Sequence, residues 1–552
     1  MKKTLIPILV LVSSMIALLI ALPFFINQYL NRHAERIVSN MITRTNDFAG
    51  HEVAFGDIHL DYDYRGTYLK MDSVDIRPGQ DLDAENKIRF HLRFDEASFT
   101  GFRWIDFLFY NSIQLDSAYI ENAVLETRTP DLEEMQASQK PSATGKGKDY
   151  RVIGLNHLRV NKVSFENRDG KTDSVRLSLT DLFVFADGFR FSKEDKENPD
   201  ALFLVESIEG YMAGAQVHIN DYLNVVEARD LSFNTRDQRL IVEEISFRNK
   251  LRKYAYVNRF EKETNWMELT NARMQLDGMD FHAYFREGRI AADTLLLEGP
   301  ELDIFRDKRK VEDTSKRPKM IHEILEELPR ELHLPTIAFS DIRITYEERP
   351  ETNATTSGKI FFDRVEGEIS GFSSMGATSA QTDTLRVSAR GRLMGQGQID
   401  LRADHLINDG KGTFFLKGSI GTMNLPVLND MIMPATRIAL KSGRLNDLAF
   451  DIRANDLEGT GQVIAKYEDL EIEILDKNYK RNQNIFRRIG AFLANKLVIP
   501  TQNPKKSGEL SKGEVYFERE KHKFIFHYWW NLVLSGLKST VTGQTEQEMR
   551  EK

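Results

Sequence analysis

Apolar and polar residues alternate along most of this chain. Val53 and Phe55 begin the pattern; Ile58, Leu60, Tyr62 and Tyr64 continue it, followed by Leu69 and Met71, Val74 and Ile76, then Ile88, Phe90, Leu92 and Phe94. It returns at Val175, Leu177 and Leu179, at Phe281, Ala283 and Phe285, and at Ile342, Ile344 and Tyr346. Leu385, Val387 and Ala389 repeat it, as do Ile399, Leu401 and Ala403, then Leu448, Phe450 and Ile452, and finally Leu470, Ile472 and Ile474. Successive side chains of a strand point to opposite faces, so each stretch predicts a strand with one apolar and one solvated face. Gly, Asp, Asn and Pro punctuate the stretches. The grammar is that of antiparallel sheet rather than of parallel sheet buried on both sides.

A helical period is rarer. Leu30, Ile37, Met41 and Ile42 fall on one side of a helix predicted over 28–46. A short helix is expected over 321–332, and another around Ile485, Phe486, Ile489, Phe492, Leu493 and Leu497. The tail from His527 to Leu534 is amphipathic and aromatic. Polar stretches at 129–149, 192–199, 308–319 and 347–359 read as loops, the first of them mobile.

One unit recurs loosely. The stretch from Leu115 to Arg128 resembles that from Leu158 to Arg168, and the stretch from Leu297 to Asp307 resembles that from Phe339 to Arg349. Each holds a short strand, a small or polar break, a second strand and a charged turn. This predicts a sheet extended by adding similar hairpins.

Ahead of the alternating body lies a different signal. Lys2 and Lys3 precede an apolar run from Leu5 to Ile26 that carries no charge. As a helix that run is roughly 33 Å long, enough to cross a bilayer core. It exceeds the apolar region of a cleaved signal peptide and lacks a small-x-small cleavage site, so it predicts a retained anchor. A three-residue leader is easiest to leave in the cytoplasm, which would place the body outside it.

Composition narrows the classes. The 552 residues are 41% hydrophobic and 29% charged, which is globular rather than disordered. With no cysteine there is no disulfide, thiolate metal site or cysteine nucleophile. The net charge of −8 is uneven. Residues 476–552 hold 15 Lys/Arg and 8 Asp/Glu, leaving the rest strongly acidic. That basic end lacks dense Arg runs and does not read as a nucleic-acid surface; an anionic membrane, an acidic partner or plain solvation would suit it.

Catalytic motifs fail one by one. Gly145-Lys146 and Gly358-Lys359 lack the rest of a phosphate loop, Ser370 lacks the glycine spacing of a nucleophile elbow, and His322-Glu323 has no second His four residues on. Asp57, His59, Asp61 and Asp63 share one strand face, but neighbours there are nearly 7 Å apart, too far to chelate one ion unaided. No cofactor and no enzymatic activity are expected. What remains is the apolar face, which either closes into sandwiches or curls into a gutter that takes an apolar ligand.

Several stretches carry a family resemblance. Gly50-His-Glu-Val53-Ala-Phe55-Gly-Asp-Ile58 follows the anchor and helix, and Leu297-Glu-Gly-Pro-Glu-Leu-Asp-Ile304 comes later. Leu440 to Phe450 is then followed by Gly461 to Ile474 with its Tyr467-Glu-Asp-Leu470. Together these resemble the AsmA-like superfamily, with its TamB- and YhdP-type members, over nearly the whole chain.

The resemblance implies a mainly β fold: an N-terminal transmembrane helix followed by a long curved antiparallel β-sheet forming a groove, with a few peripheral helices and a C-terminal helical segment. It implies a single-pass inner-membrane protein with a periplasmic body. The function implied is movement of phospholipids between inner and outer membranes, or assembly of outer-membrane β-barrel proteins; a structural envelope scaffold is a third reading. The expected organisation is a leader at 1–4, an anchor at 5–26, a helix and β region at 27–128, a mobile loop at 129–150, a β-groove body at 151–475 and a basic amphipathic region at 476–552. Expected groove residues are Phe90, Leu92, Phe94, Val175, Leu177, Leu179, Phe281, Phe285, Ile342, Ile344, Tyr346, Leu470, Ile472 and Ile474. Expected partners are phospholipids, the inner membrane through 5–26, and outer-membrane or envelope proteins through the C-terminal region, with no nucleic acid.

Overall fold

A computed structural model describes residues 51–551, with interruptions at 64–65, 80–88, 104–105, 107–108, 111, 130–151, 193–204, 329–330, 352–353, 375–382, 477 and 480–499, together with Gln28, Arg32 and His33. The expected anchor at 5–26, most of the 28–46 helix, the 485–497 helix and the 129–149 loop beyond Thr129 lie outside the described residues. Gln28, Arg32 and His33 are helical. No helix among the described residues is long and apolar enough to cross a membrane. Those residues are 61% strand and 14% helix, so the mainly β expectation holds.

The chain divides into two compact units, Met1–Tyr222 with Val226–Val242, and Leu223–Val225 with Glu243–Lys552. In the first, strands His51–Ala54 and Asp57–Asp63 both pair antiparallel with Gly66–Pro78, which pairs with Arg89–Phe102. Next comes a broken strand, Ser112–Glu121 and Val124–Thr129. Both halves run antiparallel to Arg89–Phe102 and parallel to Val152–Asp169. Val175–Ser192 and Ser207–Ile219 then follow as antiparallel neighbours.

The second unit contains the same arrangement. Thr294–Glu298 and Glu301–Asp307 form a broken strand that is antiparallel to Asn265–Asp277 and parallel to Leu332–Arg349. Antiparallel strands Gly358–Ser373, Thr384–Leu393, Gly397–Leu406, Phe414–Ile420, Ile438–Ala454, Glu458–Ile474 and Gly513–Glu518 complete it.

These parallel pairs correct the all-antiparallel expectation. Alternation along a half-buried strand is the same for either partner direction, so it cannot report direction. The repeat was visible, but its meaning differs: the resembling stretches are not successive hairpins but neighbours running the same way. Leu297 lies opposite Phe339, and Leu115 opposite Leu155. Parallel partners need a long crossover. In the second unit residues 308–331 provide it, including the helix Ile321–Glu326. That helix ends before Leu332, which begins a strand, so it is shorter than expected.

The stretch from Phe281 to Phe285 is a second correction. It is the first turn and a half of a helix, Phe281–Glu287, not a strand. The Asp280 carboxylate accepts from the Ala283 N–H, and Gly288 closes the helix at φ 68°. A cap before it and a left-handed glycine after it outweigh a short alternation that fits i, i+4 equally well. The tail is the helix Ile525–Thr542, capped by Gly543 in the left-handed region.

Candidate functional site: the apolar sheet faces

The strand registers put the apolar residues in continuous rows. In the first unit Met71, Ala97, Ile120, Val160, Val184 and Gly210 lie opposite one another across six strands. A second row runs Ile76, Leu92, Leu125, Phe165, Leu179 and Ala215. In the second unit one row crosses ten strands: Leu276, Leu295, Ile337, Ile369, Val387, Ala403, Leu416, Ile452, Gly461 and Val515.

A local device keeps those rows on one face. In eight strands the apolar spacing of two is broken once by a spacing of three: Met71 to Val74, Val160 to Val163, Leu179 to Leu182 and Ala228 to Leu231 in the first unit, and Leu269 to Ala272, Phe339 to Ile342, Phe362 to Val365 and Tyr467 to Leu470 in the second. The residue before the second apolar position is left-handed each time. Ser73, Lys162, Asp181, Asp230, Asn271, Asp341, Arg364 and Asp469 have φ between 49° and 59°. Left-handed backbone is disfavoured for residues with a Cβ and is most tolerated by Asn and Asp, which hold five of these eight positions.

Pairing registers slip at several of these points, as between Phe339 and Ile342 or Val160 and Val163; across Met71–Val74 the pairing with Arg89–Phe102 stays in step, since Phe94 to Ala97 makes the same three-residue step. The extra residue makes a β-bulge, which bends the strand and restores the same face on its far side. Met71 and Val74 therefore share one cluster with Ile76, Ala97, Phe90, Leu92 and Phe94. The bulges of neighbouring strands coincide: Asn122 at the break in one strand donates its backbone N–H to Asn161 beside Lys162, and Gly299 donates to Ser340 beside Asp341. Within each unit the sheet is thus creased across several adjacent strands. The three-residue step was legible in the sequence, but alternation analysis treats it as a strand end.

The expected groove residues fall on these faces with the exceptions noted. Phe90, Leu92 and Phe94 are half-buried beside Ile76 and Val74. Leu179 lies between Phe165 and Ala215, and Leu177 between Asn167 and Val217; Val175 is half-buried opposite Arg168. Ile344 lies between Leu302 and Phe362, Tyr346 between Ile304 and Ile360, and Ile342 opposite Val365. Leu470 packs against the closed core of the second unit, and Ile472 and Ile474 pair with Leu440 and Ile438. Phe281 is buried in its helix and does not line a strand row. Phe285 is in the same helix.

The opposite faces are polar. Lys70 bridges Asp72 and Glu96 at 3.2 Å each, Arg390 meets Glu366 at 2.6 Å and Lys417 meets Asp451 at 2.8 Å. His59 and Asp61 pair at 2.7 Å with both side chains about half exposed, as a solvated face would have them. No group of three or more potential ligands among the described residues could hold a metal ion.

Burial along the ten-strand row is uneven. Leu276 at one end is buried; Leu295, Ile337, Ile369 and Val387 are half-buried; Ala403, Leu416, Ile452 and Val515 are fully buried. The helix Ile525–Thr542 packs in the core that buries the last four, together with Met320 and with Leu425, Val427, Leu428 and Met431. Its residues Ile525, Tyr528, Trp529, Leu532, Gly536, Ser539 and Thr540 are buried at helical spacing against the final strands. Glycines allow the close approach. A Cβ on Gly536 would meet Val463 at 2.4 Å, and one on Gly459 would meet Leu532 at 2.6 Å. His405 stacks between Phe414 and Trp529, and burial lowers its pKa to about 4. Tyr346, partly buried against the same core, hydrogen-bonds Glu348 at 2.8 Å and is held protonated, first by desolvation and then by that carboxylate.

The first unit has no counterpart of that cover among the described residues: every helix with described bounds lies between Lys253 and Arg550. Its apolar rows remain half-buried at Leu158, Val160, Phe165, Leu177, Leu179, Leu182 and Val184. No protein-family profile matches the chain, and no curated protein matches it.

Proposed function

We propose that the chain is a non-enzymatic, membrane-anchored lipid carrier whose half-buried apolar rows hold the acyl chains of phospholipids. One observation carries this reading: in the first unit the apolar rows that start buried at Met71, Ile76 and Ala97 continue only half-buried through Ile120, Val160 and Val184 and through Leu125, Phe165, Leu179 and Ala215. An extended apolar surface left partly in water is unfavourable unless something apolar covers it. Acyl chains suit it because such contact is non-directional and needs no single residue. The apolar run at 5–26 and the AsmA-like resemblance support placing the body in the periplasm, with phospholipid passing between inner and outer membranes.

Photocrosslinking tests this. A benzophenone amino acid at Leu179, Phe165 or Val184 should capture phospholipid, while the same group at Ser178 or Glu166 on the opposite face should not. Equal capture from both faces, or none from the apolar one, overturns the reading. A client role for outer-membrane barrel strands would instead give peptide adducts from the apolar positions.

A further inference from the structure

One turn of the first unit has a different chemistry from the faces described above. Residues 103–111 join the strand Arg89–Phe102 to Ser112–Glu121. Two side chains there stand largely in water: Phe109 is 78% exposed and Tyr110 65%. No other large apolar side chain described in the first unit exceeds 40%. Asp106 and Phe109 are helical, and Tyr110 donates its backbone N–H to the Asp106 carbonyl at 3.1 Å. The same stretch of sequence also holds Trp104, Ile105, Phe107 and Leu108. Its only charges are Arg103 and Asp106, and Arg103 lies 3.8 Å from Asp116.

Strand register fixes where this turn lies. Phe102 is opposite Thr67, at the start of the strand Gly66–Pro78, whereas His51 is opposite Pro78 at its other end. The chain thus enters the sheet one strand length away from the turn, about 40 Å along the strand. Residues 27–50 connect that entry to the apolar run 5–26. The sequence predicts a helix over 28–46, and Gln28, Arg32 and His33 are helical. Such a helix rises about 28 Å, and the remaining linker residues add up to about 16 Å when extended. Linker and strand therefore match in length. A linker climbing from the bilayer reaches His51, and strands His51–Ala54 and Asp57–Asp63 then run back along Gly66–Pro78 to end beside the turn, where Asp63 is opposite Gly66.

We propose that Phe109 and Tyr110 rest in the interfacial layer of the same bilayer that holds the apolar run 5–26, giving the first unit a second contact with that membrane. Aromatic rings with one apolar and one polar end favour the headgroup level of a bilayer. A turn with one charge of each sign needs no anionic lipid to stay there. A protein partner also takes exposed aromatic side chains. The bilayer is the better match because the linker's length returns this turn to the surface from which the chain set out. The inference rests on the membrane-anchored part of the reading above and not on whether the apolar rows carry lipid.

The absence of cysteine makes the test direct. Full-length Phe109→Cys, labelled with an environment-sensitive dye and reconstituted in phosphatidylcholine vesicles, should emit at shorter wavelength. Its emission should be about threefold brighter than that of the same dye on Lys171→Cys, in the exposed turn at the far end of Val152–Asp169. A nitroxide on the lipid headgroup should quench the first label and spare the second. About 0.5 M salt should leave the response in place, because screening acts on charges and not on apolar contact. A benzophenone amino acid at Tyr110 should give lipid adducts in cells. The inference is overturned if the chain floats with the vesicles while position 109 stays in water, if positions 109 and 171 respond alike, or if the Tyr110 adducts are peptides. A chain that does not float overturns the anchored reading and this inference together. Quenching at 109 supports the inference whatever position 179 captures.

Discussion

The first unit and the C-terminal strands of the second are built from the same parts and end differently. Each unit has long strands with one apolar face, is creased by left-handed bulges, and places a broken strand parallel to the next long one. In the second unit the helix Ile525–Thr542 lies on the final strands and turns their apolar face into a core. In the first, Leu177, Leu179, Leu182 and Val184 keep part of their surface in water. An apolar strand face is thus not by itself a core or a groove. What covers it decides which it becomes, because burial energy scales with the area removed from water.

The sharpest way to break this comparison is to place the same charge on both faces. Leu416→Glu should cost several kcal/mol, because an unpaired carboxylate would be sealed into a packed interior. Leu179→Glu should cost roughly 1 kcal/mol, since that position is already half in water, yet should abolish lipid crosslinking from neighbouring Phe165. Chemical denaturation of the two variants checks the stabilities. Equal destabilisation would remove the distinction between open and closed faces.

The cover itself can be loosened. Leu532→Ala should destabilise by about 3 kcal/mol through lost contacts and a cavity. Gly536→Val should act similarly by driving the helix off Val463. Hydrogen exchange should then speed up in Glu458–Ile474 and Gly513–Glu518 while Val152–Asp169 keeps its protection.

Acid should have a comparable effect on the closed region only. The pKa of His405 is lowered from 6.5 to about 4, mainly by burial and then by His322, so the unfolded form binds the proton more readily. Its contribution is complete above pH 6.5 and is lost as pH falls towards 4, by about 3 kcal/mol in all. His405→Phe should flatten that part of the stability profile, as followed by thermal unfolding between pH 4 and 7.

The smallest effects belong to the crease. Asp341→Val should cost about 1–2 kcal/mol, because a β-branched side chain is poorly tolerated at φ 52°, while Asp341→Gly should be within about 0.5 kcal/mol of the parent. If the two substitutions behave alike in denaturant titrations, the left-handed backbone is not what holds the bulge.

How much of this was legible in advance follows from the range of each interaction. Alternation at Phe90, Leu92 and Phe94 or at Ile342, Ile344 and Tyr346 reports a strand because side-chain direction along an extended chain is a local property. The tail from His527 was readable as amphipathic and aromatic, but that it packs on the chain's own final strands was not. The three-residue steps at Leu179–Leu182 and Phe339–Ile342 were present as letters, but their meaning depends on a neighbouring strand to slip against. The stretch from Phe281 to Phe285 was misread because five residues fit two periods, and the deciding signals, Asp280 and Gly288, lie outside them.

The sequence by itself determined that the chain is mainly β, where most strands run, that each has an apolar face, and that no metal or nucleotide motif is present. These follow from local stereochemistry and residue type. Tertiary structure alone decided that broken strands pair parallel with Val152–Asp169 and Leu332–Arg349, that the bulges align into creases, and which apolar faces are covered among the described residues. Those outcomes depend on which surfaces meet across dozens or hundreds of residues, and burial is a property of the meeting rather than of either strand.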